Sequence, residues 1–140
     1  MEPINRFVDV LIKFHFVEKP YSASRYAFVS PFDMLKRAIF TGIRNKLSKE
    51  ETISLAVDRT IADIERSRRK PFNRNDIEEL RKGILPLAEY LYDLAFIKAA
   101  GSFARLVQLT NHIRDYIYVE VKLGKIKKIE EAKKDKGGSM

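Results

Sequence analysis

Apolar residues recur along this chain at intervals of three and four, the spacing of a helix with one buried face. The pattern is clear over residues 3–19, 31–47, 49–64 and 73–94, and it returns from about residue 103. Short polar or proline-containing segments separate these stretches. The pattern therefore predicts an all-α fold, a bundle of four or five helices joined by short turns.

Two helix starts are marked by residues that bond the free N–H groups of a first helical turn. Ser30 followed by Pro31 predicts the start of the second helix, because Ser is a good N-cap and Pro suits the first helical position. Ser48 and Glu51 have the spacing of a capping box, in which each side chain bonds the backbone N–H of the other residue. The third helix is therefore predicted to begin directly after Ser48.

The fourth helix is predicted to begin at Asn73 or Asn75, ahead of acidic residues that suit the positive end of a helix dipole. Gly83 and Pro86 interrupt its apolar stripe. Proline removes a backbone donor and clashes with the preceding turn, so we expect a kink near Pro86. Residues 101–102, a Gly-Ser pair, are predicted to break the chain before the last helix.

The last part of the chain carries two patterns. Between residues 117 and 123 apolar and polar residues also alternate, as they do in a β-strand, but we predict that the helix continues. After Gly124 the sequence is rich in lysine and lacks a sustained apolar face, which predicts a frayed amphipathic extension or disorder. We therefore expect a helical bundle domain over residues 1–124 and a charged tail over 125–140.

The first predicted helix is apolar on nearly all its sides. Phe7 and Leu11 belong to the helical stripe, and Val10, Phe14 and Phe16 add apolar side chains outside it. A helix without a polar face must be covered all round. Either this helix lies at the centre of the bundle, or part of it forms an interface with a second copy of the protein.

A predicted loop over residues 21–26 combines two aromatic side chains, Tyr21 and Tyr26, with the cation of Arg25. Such a set can grip a phosphate backbone or stack on bases. The same residues can also simply close the end of a bundle. Both interpretations of this loop stay open at the level of the sequence.

The charge of the chain points to a polyanionic partner. Lys and Arg number 27 against 19 Asp and Glu, a net charge of +8 at pH 7. The segment from Arg66 to Arg74 concentrates this charge, with no carboxylate between Ser67 and Asn75. Basic clusters of this kind are typical of proteins that bind nucleic acid or an anionic membrane face.

No pattern of catalytic or metal-binding residues accompanies the charge. The chain has no Cys, which excludes disulfides, thiolate metal sites and thiol catalysis. Its two histidines, His15 and His112, stand far apart, and no glycine-rich phosphate-binding motif is present. We therefore expect no enzymatic activity, no metal site and no cofactor.

The predicted contacts are to phosphates, because no motif that reads base sequence is recognisable. The net charge of +8 on one copy neutralises the phosphates of on the order of four base pairs of duplex. One copy would therefore cover only a short length of nucleic acid, whereas many copies could coat a genome. This arithmetic favours a packaging protein. The predicted nucleic-acid-binding residues are Arg6, Lys13, Lys19, Arg25, Arg37, Arg44, Arg66, Arg68, Arg69, Lys70 and Arg74.

The Cys-free, basic helical chain, its length and its opening sequence MEPINRF resemble the major coat proteins of filamentous archaeal viruses of the lipothrixvirus and rudivirus type. The resemblance implies a non-enzymatic virion protein that pairs with itself or with a related coat protein and wraps linear double-stranded DNA. In enveloped members it also implies lipid contact through an apolar C-terminal part. The residues that would face the lipid here are Ile113, Tyr116, Ile117, Tyr118, Val119, Val121 and Leu123.

Two alternatives rest on narrower resemblances. Residues 113–130 are similar to the basic last helix of archaeal GINS replication proteins, and small helical CRISPR subunits share the general profile; this implies a cytoplasmic accessory subunit of a nucleoprotein complex. Separately, Arg105 and His112 resemble the Arg-to-His spacing of HEPN ribonucleases. That second resemblance implies acid and base catalysis on RNA, although Leu106 stands where those enzymes commonly have a polar residue.

Overall fold

The computed structural model describes residues 2–98 and 103–138, and over these residues all the regular structure is helical. The all-α prediction is confirmed. Five α-helices follow one another along the chain, and a single π-helical turn, Leu94–Lys98, extends the fourth. The α-helices are α1 (Glu2–Phe14), α2 (Arg25–Arg44), α3 (Lys49–Arg66), α4 (Arg74–Asp93) and α5 (Phe103–Gly138).

Helix α1 packs with its apolar side against α4 and α5 and also meets α3, whereas Asn5, Asp9 and Lys13 are exposed on its other side. Phe7 and Leu11 are completely buried, and Val10 and Phe14 nearly so. The ring of Phe7 meets that of Phe32 on α2 edge-on, with centroids 6.4 Å apart. Of the two explanations for its apolar residues, the structure therefore supports burial within the bundle: these side chains are covered by the chain itself, and a polar stripe of α1 stays exposed.

Helix α2 begins earlier than predicted. Its N-cap is Ser24, whose Oγ accepts a hydrogen bond from the N–H of Ala27 at 3.3 Å, and Pro31 lies inside the helix. Starting at Arg25 places Phe28 and Val29 in the core, both with no exposed surface. Burying each is worth about 1.5–3 kcal/mol, which offsets the roughly 3 kcal/mol cost of an interior proline. Tertiary packing overrides the local signal.

The predicted starts of α3 and α4 are confirmed. Ser48 caps α3, since its Oγ accepts a hydrogen bond from the N–H of Glu51 at 3.1 Å. Asn73, and not Asn75, caps α4. The Asn73 side chain accepts from the N–H of Asp76 at 2.8 Å, and the Asp76 carboxylate accepts from the N–H of Asn73 at 3.4 Å. This reciprocal pair is a complete capping box.

Helix α4 runs without interruption through Gly83 and Pro86 to Asp93, and the kink near Pro86 stays a prediction. Gly83 marks the place where α4 crosses α1. A Cβ atom at this position would overlap Cγ2 of Val10, a buried β-branched side chain. The glycine that interrupts the apolar stripe of α4 therefore allows α1 and α4 to approach each other closely.

Helix α5 continues far beyond the predicted bundle boundary. It is 36 residues long, or about 54 Å, and Ile117 and Val121 are completely buried in it. The prediction of a helix over residues 117–123 is confirmed. Of the two predictions for the segment after Gly124, an extension or disorder, the structure shows an extension that is helical up to residue 138, and the predicted boundary between residues 124 and 125 falls inside this helix. The predicted break at residues 101–102 lies outside the described residues.

Directly after the predicted boundary, α5 packs against the end of α1. Gly124 lies directly against Ile12 of α1, where a Cβ atom would overlap the Ile12 side chain. One residue later, the Nζ of Lys125 donates hydrogen bonds to the carbonyl oxygens of Ile12 and His15. These carbonyls belong to the last turn of α1 and the residue after it, where the helix leaves acceptors without intrahelical partners.

Candidate nucleic-acid interface

A groove of about 750 Å³ opens where the end of α1, the turn after α3 and the C-terminal part of α5 meet. Seven of its sixteen lining residues are Lys or Arg, and Glu18 is the single acidic one. We call this surface the basic groove. Its lining is Ile12, Lys13, Phe14, His15, Phe16, Val17, Glu18, Lys19, Pro20, Ser67, Arg68, Arg69, Lys70, Lys125, Lys128 and Ile129.

Hydrogen bonds hold the turn after α3 in place against the end of α1. The Oγ of Ser67 accepts from the N–H of Phe16 at 3.0 Å and donates to the carbonyl of Ile64 at 2.6 Å. On the other side of the turn, the carboxylate of Glu65 accepts from the N–H of Phe72 at 2.9 Å. The cations between these anchors, residues 68–70, are therefore presented by a turn that is tied down at both ends.

An aromatic ring orients the first of these cations. Phe72 is buried and meets Phe14 edge-on, with ring centroids 5.6 Å apart. The guanidinium carbon of Arg68 lies 4.6 Å from the centre of the Phe72 ring. Stacking on a ring face holds a guanidinium while leaving its N–H groups at the edges free to donate. Arg68 is thus placed to bind an anion in the groove.

Helix α5 forms the third wall through Lys125 and Lys128. The Lys125 ammonium lies close to the carbonyl end of α1, where the helix dipole favours a cation. Burial, followed by the charge of Lys128, lowers the pKa of Lys125 to about 8. Lys125 therefore keeps its charge at neutral pH.

His15 lies buried in the groove wall. Its Nδ1 has no hydrogen-bond partner among the described residues, and its side chain is 5% exposed. Burial, then the charge of Lys125, lower its pKa to about 4, against a smaller opposing effect of Asp63. The imidazole is therefore neutral at pH 7, and its unsatisfied nitrogen is enclosed in the groove wall, where a ligand cannot reach it.

The cations of the groove differ in how far their charge is already neutralised. Lys13 forms an ion pair with Glu79 at 2.7 Å. Lys19, Arg69, Lys70 and Lys128 have no carboxylate within ion-pair distance among the residues that the structure describes. These four positive charges point to an anionic partner outside the chain.

A second basic surface lies between α2 and α5. It is a smaller pocket, of about 470 Å³, in which Arg37 and Arg44 are exposed two helical turns apart. Arg114 in its wall forms a partly buried, two-pronged ion pair with Asp33, at 3.0 and 3.3 Å. Its lining is Asp33, Lys36, Arg37, Phe40, Arg44, Asn111 and Arg114.

The structure sorts the eleven predicted residues into three groups. Lys13, Lys19, Arg68, Arg69 and Lys70 come together in the basic groove, and two more are on the second basic surface. The remaining four lie elsewhere. Arg6 pairs with Glu2, Arg25 pairs with Asp115 and lies over the ring of Tyr118, Arg66 pairs with Asp63, and Arg74 is exposed at the start of α4.

Sequence reasoning missed the contribution of α5. Lys125 and Lys128 were assigned to a charged tail, and His15 to no site at all. One signal was present: Ile126 and Ile129 carry the helical spacing beyond Gly124. What the spacing could not show is that α1 offers a surface for this part of the helix.

The apolar C-terminal residues that would face lipid are mostly inside the bundle. Ile113, Ile117 and Val121 are buried, whereas Val119 and Leu123 are exposed by 48% and 58%. Over the described residues no helix is both long enough and apolar enough to cross a membrane. Among the aliphatic residues of this segment, only Val119 and Leu123 are therefore accessible to lipid.

The possible catalytic pair lies on the outside of α5. Arg105 and His112 are both exposed and seven residues apart, so they share one face at an axial separation of about 10 Å. Within the described part of the chain, no three His, Asp or Glu side chains come together as metal ligands do.

No family model, curated protein or solved structure matches this chain.

Proposed function

We propose that this protein binds nucleic acid through phosphate contacts in the basic groove, without catalysis and without reading base sequence. The observation that carries the proposal is the convergence of Lys19, Arg69, Lys70 and Lys128 on one groove in which none of them has a carboxylate partner. Like charges gathered in this way repel each other, and an anionic ligand relieves that repulsion.

Binding of this kind is independent of sequence because of how the groove is built. Its cations come from the end of α1, a turn and one side of α5, and no helix projects a row of side chains suited to base edges in a DNA groove. Contacts to phosphate oxygens fix the position of a protein on nucleic acid but carry no base information.

A coat subunit is the most specific form of this proposal. A net charge of +8 balances only a short length of nucleic acid, so many copies are needed along one long molecule. Because the apolar side of α1 is covered, contacts between copies would use another surface, and Phe103 and Val107 offer exposed apolar side chains one turn apart on α5. Filaments with linear DNA in negative stain support the coat role, whereas finite complexes favour an accessory subunit.

Two neighbouring lysines give a matched test of the groove. Lys128 lines the groove and Lys127 does not, although both are exposed on the same turn of α5. Lys128→Glu should weaken binding to a labelled oligonucleotide about tenfold or more, because it removes a charge-assisted contact and adds a repulsive one. Fluorescence anisotropy at constant low salt measures the dissociation constants.

Lys127→Glu is the control, because it changes the net charge by the same amount outside the groove. We expect it to weaken binding only slightly. Equal losses in the two variants would show that the overall charge, and not the groove, attracts the ligand. If the wild-type protein binds neither DNA nor RNA at low salt, the proposed function is wrong.

A further inference from the structure

We infer that the basic groove takes a single strand of nucleic acid, with phosphates on its cations and a base stacked on Phe16. This inference rests on the proposed function and names the form of nucleic acid that fits the groove. It departs from the expectation of double-stranded DNA that the coat-protein resemblance implies. Two features of the groove support it: the exposed ring of Phe16 and the fixed backbone beneath that ring.

Phe16 presents an apolar ring within a cationic lining. Its side chain is 59% exposed, although it belongs to the lining of the groove. The residues on either side, His15 and Val17, are buried to 5% and 6% exposure. The chain leaves α1 with its side chains alternating inward, outward and inward, so the phenyl ring faces the groove because the core side chains beside it face the other way.

The ring is held on a fixed backbone. The N–H of Phe16 donates to Ser67, and the Lys125 ammonium binds the carbonyl of His15 just before it. These bonds tie the segment to the turn after α3 and to α5. A ring with a fixed backbone loses little conformational entropy when a ligand stacks on it, which is what a stacking platform requires.

A single strand can use this ring and a duplex cannot. Bases of a single strand expose their faces, and stacking them on aromatic side chains is tolerant of sequence. In a duplex the base faces are covered by neighbouring bases, so a duplex offers the groove phosphates alone. Cations beside an exposed ring can bind a single strand in two ways, because the cations contact its phosphates and the ring stacks on a base.

One further ring lies beside the groove. Tyr21, which follows Pro20 of the groove lining, is 53% exposed, and the Nζ of Lys133 lies 5.9 Å from the centre of its ring. This ring offers a second aromatic face next to a cation.

The experiment compares a labelled oligothymidine of about 20 nucleotides with a duplex of the same length by fluorescence anisotropy. The wild-type protein should bind the single strand more tightly. Phe16→Ala should weaken single-strand binding about fivefold or more, the loss expected for one stacked base, and should leave duplex binding unchanged. Phe16→Tyr keeps an aromatic face and should retain binding.

Phe96→Ala is the matched control, because Phe96 is a phenylalanine of similar exposure, 62%, that does not line the groove. It should change neither affinity. If the duplex binds as tightly as the single strand, or if Phe16→Ala leaves single-strand binding unchanged, this inference is overturned while the proposed function stands. Binding to neither nucleic acid overturns both. Unchanged melting temperatures confirm that the variants are folded.

Discussion

At the scale of single residues, one buried histidine in the wall of the basic groove is neutral at pH 7. His15 is buried beside Lys125, and the Lys125 ammonium binds the carbonyl of His15 itself. Burial and this neighbouring cation lower the pKa of His15 from 6.5 to about 4. The folded protein therefore disfavours a second positive charge at the point where α1 ends and α5 crosses it.

The lowered pKa of His15 predicts acid sensitivity. Between about pH 6.5 and 4 the unfolded chain takes up a proton on this histidine that the folded chain does not, so stability falls as the pH falls through this window. We expect the melting temperature of the wild type to drop more steeply between pH 7 and pH 5 than that of His15→Gln. Circular dichroism melts at pH 7, 6 and 5 measure both slopes.

The other histidine supplies the control for this experiment. His112 is exposed on α5, far from the groove along the chain, and His112→Gln removes an imidazole without touching the buried site. Carboxylates titrate in all three proteins, so the difference between slopes isolates His15. Parallel slopes for the wild type and His15→Gln would contradict the prediction.

At the scale of helices, local signals were reliable where nothing competed with them. Ser48 and Asn73 cap the helices that the sequence predicts, because a side-chain oxygen beside free N–H groups acts within a few residues. The Ser30-Pro31 signal failed because the core gains more from Phe28 and Val29 than it loses at one proline. The start of the lysine-rich part of α5 was misjudged because Gly124 and Lys125 pack against α1.

Gly83 tests how closely two of these helices approach each other. Gly83→Ala should lower the free energy of unfolding by about 1–2 kcal/mol, because overpacking against Val10 costs about 1–3 kcal/mol and exceeds the roughly 1 kcal/mol gain in helix propensity. Urea denaturation measures the change. Adding Val10→Ala should recover part of the loss, since the smaller side chain makes room.

Gly124→Ala is the comparison for Gly83→Ala. The new methyl group would meet chiefly Cδ1 at the flexible end of Ile12, whereas at Gly83 it would meet a γ-methyl group of Val10 that is fixed close to the backbone, so we expect a smaller loss of stability. A stabilising effect of Gly83→Ala would contradict the close approach of α1 and α4.

At the scale of the whole molecule, the groove is assembled from segments that are far apart in the chain. Residues 12–20, 67–70 and 125–129 meet only because α1 packs against α5 and α5 is long enough to pass the end of α1. The assembly concentrates charge that would otherwise be spread along a basic surface. The salt dependence of nucleic-acid affinity should therefore depend mainly on the cations of the basic groove.

The salt dependence of binding should reflect contacts in the groove more than net charge. In the Arg68→Ala/Arg69→Ala/Lys70→Ala variant, the slope of log affinity against log salt concentration should become shallower by up to about 2, roughly 0.7 for each lost contact to a single strand. Titrations at four or more salt concentrations give the slope.

Arg59→Ala/Lys82→Ala/Lys127→Ala removes the same charge from exposed positions outside the groove and is the control. We expect it to keep most of the wild-type slope. Identical slopes in the two triple variants would mean that phosphates are bound by the surface at large.

The sequence by itself determined the helical class, two of the helix starts and the basic cluster at residues 68–70, because periodicity, capping and charge act over a few residues. Only the tertiary structure decided that the apolar side of α1 is buried within its own chain, that α5 continues past Gly124, and that Lys125 and Lys128 join the cations of a distant turn. The physical reason is that burial and electrostatic proximity depend on which segments pack together, and that packing is chosen by the core as a whole.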